Sequence, residues 1–276
     1  MIIKLRDTMK LTVLADNYTY IDMYYLGEPA LSFYIEYGEE KILFVTGYSN
    51  VFISNAGKMD IDLSKVKKVV ISHGHNDHTG GLEYLLKDRD DIEVISHPLS
   101  FMYKEDENGL CISSPLLQEE LSERCKLTLS EKPVSITEDL IFLGQIPVTQ
   151  DFEPRYAIGT CRYKDVIRPD HLEDDSALVY KGKDGLFVIS GCSHSGICNI
   201  IEYAKKVCGD NRISGVIGGF HLFRNDERLK RTIGYFRDNG ISELYPCHCV
   251  SLEAKIAIAE KLPIHEVGVG MRLEVE

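Results

Sequence analysis

The stretch Val69-Val70-Ile71-Ser72-His73-Gly74-His75-Asn76-Asp77-His78-Thr79-Gly80-Gly81 constrains the rest of the chain more than any other. Its apolar, β-branched start reads as a buried strand. The Gly pair at its end, followed by Leu82, Tyr84, Leu85 and Leu86, reads as the start of a helix. Three histidines and an aspartate fall within six residues between them. Imidazole and carboxylate are ligands that suit zinc, iron or manganese. His73 and His75 are two apart, so in extended chain their side chains share one face, and Gly74 between them adds no side chain to crowd it. Asp77 and His78 lie past the turn and approach the same cavity from another side. Ligands split two and two suggest two adjacent ions. A polar turn with satisfied histidines is the plain alternative, and four ligand-type residues at this spacing outweigh it.

The pattern His-x-His-x-Asp-His resembles that of the metallo-β-lactamase superfamily. A chain of 276 residues allows two average domains or one large α/β domain, and is long enough to bury a sizeable core. Charged residues make up 27% and hydrophobic residues 44%, ordinary for a globular protein. The formal net charge of -12 argues against nonspecific binding to nucleic acid or to an anionic membrane. It leaves room for an anionic small-molecule substrate, because bound metal ions reverse the local field. Met1 to Lys10 carries Lys4, Arg6, Asp7 and Lys10 with no apolar stretch after it, so no signal peptide is expected. No apolar run approaches the length of a membrane span. The expectation is a cytoplasmic protein with reduced thiols at its eight cysteines. No Cys-x-x-Cys pair is present, which disfavours a structural zinc ribbon.

Along the chain, Leu11 to Leu14, Leu31 to Tyr37 and Lys41 to Thr46 read as strands, the last two as a hairpin. Residues 49 to 58 and 80 to 87 read as helices, with a strand from Ile92 to Ser96. The stretch from about 99 to 170 breaks this rhythm and reads as an insertion or cap within a single domain of residues 1–276. Its later part, Asp151 to Pro169, reads as a polar loop at the mouth of the site. Regularity returns with strands at Ser176 to Tyr180, Leu186 to Ser190, Arg212 to Ile217 and Ile241 to Tyr245. Helices are expected at Gly196 to Val207, Glu227 to Asp238 and Leu252 to Leu262, and an edge strand at Met271 to Glu276. Strand hairpins first in each half, then strand–helix alternation, fit two sheets face to face with helices outside. This matches the αββα sandwich that the resemblance implies, an α/β fold of two mixed sheets flanked by helices.

Three strands of the second half end in further ligand-type clusters: Gly191-Cys192-Ser193-His194-Ser195-Gly196, Gly218-Gly219-Phe220-His221-Leu222 and Pro246-Cys247-His248-Cys249. In this order after the opening motif they resemble one subgroup of the superfamily, which includes a dihydropterin-dependent synthase of the methanopterin pathway. The resemblance implies His73, His75 and a second-half histidine on one metal, and Asp77, His78 and the last strand-end histidine on the other. We assign His194 to the first set and His248 to the second. His221 is then a substrate contact or proton donor, and Asp77 both ligates and orients the nucleophile. Alternatives stay open. Cys192 stands where the superfamily usually has a bridging Asp. His171 precedes a strand much as the third superfamily histidine does. Asp174 and Asp175 ligate, orient a ligand, or form a solvated acidic turn. Cys247 and Cys249 read as packing, His97 as a strand-terminating polar residue and His265 as surface. The strand before the motif ends Phe44-Val45-Thr46-Gly47, with Val45 where the family usually has an Asp that supports the metal-binding loop.

These residues imply a metal-dependent hydrolase with two divalent ions, zinc foremost and manganese or iron admitted. A hydroxide between ions roughly 3.5–4 Å apart would attack a phosphorus or carbonyl centre of a phosphoester or similar small molecule. Other readings are a synthase acting on a pterin diphosphate, an iron-based redox or sensing protein, and a non-catalytic metal-binding module. An oligomer is compatible with the sequence.

Overall fold

Apolar residues on both faces of a strand require cover on both sides. In Ser32–Tyr37, Phe33, Ile35 and Tyr37 enter one core while Tyr34 enters another. The computed structural model, which describes residues 8–164 and 166–276, builds two large sheets on this rule. Lys4, Arg6 and Asp7, part of the leader reading, lie outside the described residues.

The strands in chain order are β1 (Met9–Ala15), β2 (Ser32–Tyr37), β3 (Glu40–Phe44), β4 (Lys68–Val70), β5 (Glu93–Ser96), β6 (Tyr103–Glu105), β7 (Lys126–Leu129) and β8 (Val134–Ser135). They continue with β9 (Leu140–Phe142), β10 (Thr160–Tyr163), β11 (Val166–Pro169), β12 (Ala177–Lys181), β13 (Leu186–Ser190), β14 (Ile213–Gly218), β15 (Leu244–Pro246) and β16 (Arg272–Val275). The helices are α1 (Val51–Lys58), α2 (Asn76–Thr79), α3 (Leu82–Leu85), α4 (Gln118–Arg124), α5 (Ile197–Cys208), α6 (Glu227–Asp238) and α7 (Leu252–Ala259).

One sheet runs β16-β1-β2-β3-β4-β5-β7 and the other β15-β14-β13-β12-β9-β8. Their facing sides share one core: Leu11, Phe33, Ile42 and Phe44 from the first sheet meet Phe142, Leu178, Tyr180 and Ile189 from the second. On the outer face of the first sheet, Leu43, Val69 and Val94 pack against Phe52 and Ala56 of α1 and Leu82 and Leu85 of α3. On the outer face of the second, Val179, Val188 and Val216 pack against Ile197 and Ile201 of α5, Ile233 of α6 and Ala254 of α7. This is the αββα sandwich.

The stretch 99–170 divides between these layers and a sheet of its own. β7 pairs with β5, and β9 with β12, so both large sheets draw a strand from it. β6, β10 and β11 form a separate three-stranded sheet. Asp151 to Pro169, read as loop, contributes β10 and β11, whose residues are largely exposed and carry little apolar signal. The expected helix at 80 to 87 is shorter, with α2 and α3 separated by Gly80 and Gly81.

The topology gathers the turns of interest. β13, β14 and β15 are mutually parallel, so the turns after them leave from one edge of the sheet. Ligands in open α/β sheets bind at such carboxyl ends. The turn after β4 meets them there, across the sandwich.

Candidate metal centre

After β4 the chain passes so close to its neighbour that only glycine fits. A Cβ at Gly74 would lie 1.8 Å from the Ser100 carbonyl oxygen. Gly74 therefore serves backbone approach, a stronger requirement than the uncrowded ligand face expected of it. His75 then opens α2, its carbonyl accepting the Thr79 Oγ1 hydrogen bond at 2.9 Å. The His78 carbonyl accepts the Thr46 N–H at 2.8 Å, which ties the turn to the end of β3.

Seven side chains converge in two groups. His73, His75 and His194 form one; Asp77, His78, Cys192 and His248 form the other. Within each group, one potential ligand atom from every residue lies within 4.8 Å of the others. His194 Nε2 is 3.3 Å from His73 Nε2. His78 Nε2 is 3.1 Å from Cys192 Sγ and 3.2 Å from His248 Nε2, and Asp77 Oδ2 is 3.2 Å from His248 Nε2. The histidines of both groups are buried, while the Asp77 side chain keeps 26% exposure and marks the open side. Ser193, His221 and His248 hold left-handed φ values of 56°, 50° and 51°. Non-glycine residues pay for that conformation with strain, and such strain clusters at functional sites.

These donors fit a cation. Burial, reinforced by neighbouring histidines, holds His73 and His194 well below the ordinary imidazole range, so both are neutral. Burial likewise lowers His75, and pushes His78 down to about 3. Only one of the facing nitrogens of His73 and His194 can carry the hydrogen of their contact, and His75 Nε2, also buried, has no partner. A divalent ion held there would satisfy all three. In the other group burial works to raise the Asp77 carboxyl, but His78 and His248 outweigh it and hold it ionised, well below the usual carboxylate range. Burial disfavours the His248 cation, yet the hydrogen bond to Asp77 prevails and pushes it up to about 9. Burial pushes the Cys192 thiol up. The donor set is imidazole, carboxylate and thiol, which suits zinc or iron and is less suited to manganese.

His194 thus joins His73 and His75, whereas His171 is exposed and outside both groups. Cys192 adds a donor to the set expected for the second ion. His221 stands beside the first group, its ring centroid 4.4 Å from that of His194 and its Nδ1 buried without a partner. Phe223 packs edge-on to it at 4.7 Å. Asp174 and Asp175 belong to neither group; both are buried and accept backbone hydrogen bonds from Gly74 and Ser195. Val45 is fully buried between the sheets at φ 54°, and Ser32 Oγ donates to its carbonyl. Cys247 packs in the same core, and Cys249 Sγ donates to the Cys192 carbonyl at 3.5 Å. His97 is buried with Nδ1 accepting the Leu99 N–H, and His265 is exposed and stacks on Tyr245.

Sequence reasoning passed over Asp16 and Asn17. Asp16 Oδ2 accepts the His248 N–H at 3.0 Å, and Asn17 Oδ1 lies 3.2 Å from His248 Nδ1. The signal was a carboxylate directly after the apolar run Leu11–Ala15, too common a pattern to separate from a strand-end turn.

Comparison with known proteins shows what the chain is similar to. Residues 26–206 match the model of the metallo-β-lactamase superfamily. An uncharacterised Methanocaldococcus jannaschii protein, MJ0448, is 32% identical over 90% of this chain and 93% of its own. The 7,8-dihydropterin-6-methyl-4-(beta-D-ribofuranosyl)-aminobenzene-5'-phosphate synthase of the same organism is 28% identical over 92% of each chain. The crystal structure of Tm1679, titled a metal-dependent hydrolase of the β-lactamase superfamily, is 29% identical and superposes with a TM-score of 0.83, covering 97% of this chain and 99% of that one. The chain therefore belongs to the metallo-β-lactamase superfamily.

Proposed function

We propose that the protein is a metal-dependent hydrolase that takes two divalent ions, zinc foremost, and cleaves a phosphoester or similar small molecule. The carrying observation is the pair of buried donor groups meeting across the sandwich, with Asp77 on the open side. His73, His75 and His194 hold one ion; Asp77, His78, Cys192 and His248 hold the other. Ions so held lower the pKa of water and polarise a phosphoryl or carbonyl oxygen. The Asp77 carboxylate, kept ionised by its histidine neighbours, orients the attacking water while it ligates. His221, half-buried beside the His73–His75–His194 group, contacts a substrate oxygen or returns a proton to the leaving group. The whole chain works as one domain in this reading, in the cytoplasm, and the sheet β6-β10-β11 borders the site as a cap.

Metal analysis of protein purified without added metal tests this first, followed by turnover of phosphodiesters, lactones and thioesters. His75→Ala and Asp77→Ala are expected to lose both metal and turnover; unchanged rates in both would overturn the mechanism. Similarity to the dihydropterin synthase over nearly its whole length supports a second reading, a transferase that expels diphosphate. Reaction in isotopically labelled water separates the two: hydrolysis puts the label in the product, whereas synthesis yields a joined product without it.

A further inference from the structure

The donors of both groups stand on turns, and a turn is held in place through its backbone. Three carboxylates outside the groups hold these. Asp174 Oδ2 accepts the N–H of Gly74, between His73 and His75, at 2.8 Å. Asp175 Oδ2 accepts the N–H of Ser195, which follows His194, at 2.8 Å. Asp16 Oδ2 accepts the N–H of His248 at 3.0 Å. Asp16 and Asp175 are 0% exposed and Asp174 1%. The second Asp174 oxygen and Asp170 receive the ammonium of Lys104 at 3.0 and 2.7 Å. Lys104 is itself 1% exposed and comes from β6 of the separate small sheet.

Buried charges of this kind are costly, and well-packed apolar residues of similar volume often match or exceed their stability. Their use lies in what they position. Asp174 and Asp175 are consecutive, so one short segment fixes the turn of Gly74 in the first half against the turn of Ser195 in the second. Gly74 is adjacent to His73 and His75, and Ser195 to His194, so the clamped amides flank the three histidines of one group, while Asp77, His78 and Cys192 on the same turns lie three or four residues away. Asp16, after β1, accepts from its own loop at the Tyr18 N–H and reaches across to the turn of His248, in the other group.

We propose that Asp174 and Asp175 are positioning residues for the His73–His75–His194 group and Asp16 for the Asp77–His78–Cys192–His248 group. Each group then has its own carboxylate clamp, and Lys104 anchors the first clamp to the small sheet. The proposal rests on reading the two groups as metal sites.

Cobalt(II) separates the sites, because a thiolate-to-cobalt charge-transfer band reports only the group containing Cys192. Wild-type protein and variants are titrated with cobalt against a chromophoric chelator, with circular dichroism as the check on folding. Asp175→Ala and Asp174→Ala are expected to weaken the ion without the thiolate band by ~10–100-fold, the usual effect of removing a support behind a ligand. The ion with the band should be weakened markedly less. Asp16→Ala is expected to do the reverse. Asp175→Asn, which keeps an acceptor oxygen, should recover most of the loss. Where an alanine variant does not fold, the leucine variant at that position removes the acceptor while filling its volume, and its cobalt titration decides.

Equal weakening of both ions, or unchanged affinity in every variant, overturns the clamp. Wild-type protein that binds no cobalt, or binding unaffected by His73→Ala, overturns the metal reading instead. Cobalt bound normally in wild type and lost in His73→Ala, with all three carboxylate variants silent, overturns the clamp alone.

Discussion

At Gly74 a single hydrogen in place of a side chain sets the path of the metal-bearing turn. Gly74→Ala would drive a Cβ to 1.8 Å from the Ser100 carbonyl oxygen, a backbone atom that cannot swing aside. The expected loss is on the order of 3 kcal/mol, at the upper end for overpacking, read as a lower urea midpoint. Cys192→Ala should abolish the thiolate–cobalt band while the His73–His75–His194 group still binds one ion. The first four donors are legible in the sequence because they are neighbours in the chain, and their chemistry can be read without knowing the fold. His194 and His248 are legible at one remove, since each follows an apolar strand. Cys192 is not decided by sequence, because a cysteine after a strand packs in a core as readily as it ligates. Asp16 is illegible for another reason: its partner His248 lies 232 residues away, and only the closed sandwich brings them together. Val45 is visible as a departure from the family pattern, but not its left-handed backbone, which costs a β-branched residue about 1–3 kcal/mol.

Among the elements, α5 shows how the second half supports its turn. Its first residue follows Gly196, which has no side chain to cap the helix. The carboxylate of Glu153, from a distant segment, accepts the N–H groups of Cys198 and Asn199. Asn199 then holds that segment in return, accepting from Thr149 and Gln150 and donating to the Glu153 and Ser195 carbonyls. Asn199→Ala should cost on the order of 2–3 kcal/mol, because several buried groups lose partners at once. Burial raises the Glu153 carboxyl above its ordinary range, against the pull of the helix amides. A raised folded-state pKa favours the protonated form, so this contribution to stability is present at low pH and lost as pH rises through the raised value. Glu153→Gln, which cannot ionise, should therefore show a shallower decline of the urea midpoint above the ordinary carboxylate range. The helix itself is plain in the sequence from Ile197, Ile200, Ile201 and Ala204. The remote cap and the strands β10 and β11 are not, since exposed strands and side chains acting at a distance leave no periodic trace.

For the molecule as a whole, both donor groups draw on both halves, so ions bound there also join the two sheets. A ligand that binds only the folded state adds about 2.7 kcal/mol when present at one hundred times its Kd. At about 2–4 °C per kcal/mol for chains of roughly this size, removing one such ion should lower Tm by about 5–10 °C. Calorimetry with and without chelator checks this, and His75→Ala together with Asp77→Ala should erase the difference. Phe44→Ala, in the core between the sheets, should cost about 3–5 kcal/mol whether or not metal is present. The sandwich was readable from the order of hairpins and strand–helix units, because layers follow from which faces are apolar. The membership of β7 and β9 in the large sheets was not, since short strands inside an irregular stretch look like any other part of it.

The placement of β16 has a consequence for how the protein is made. It pairs with β1 through Met9↔Val275 to Thr12↔Arg272, across nearly the whole chain. At about 5–20 residues per second, a ribosome needs tens of seconds to deliver it after β1. Throughout that interval the nascent first half carries an unpaired strand edge with apolar faces, a ready template for association between chains. Polysomes are therefore where this fold is exposed to aggregation, and pairing of β16 with β1 is the event that closes that edge.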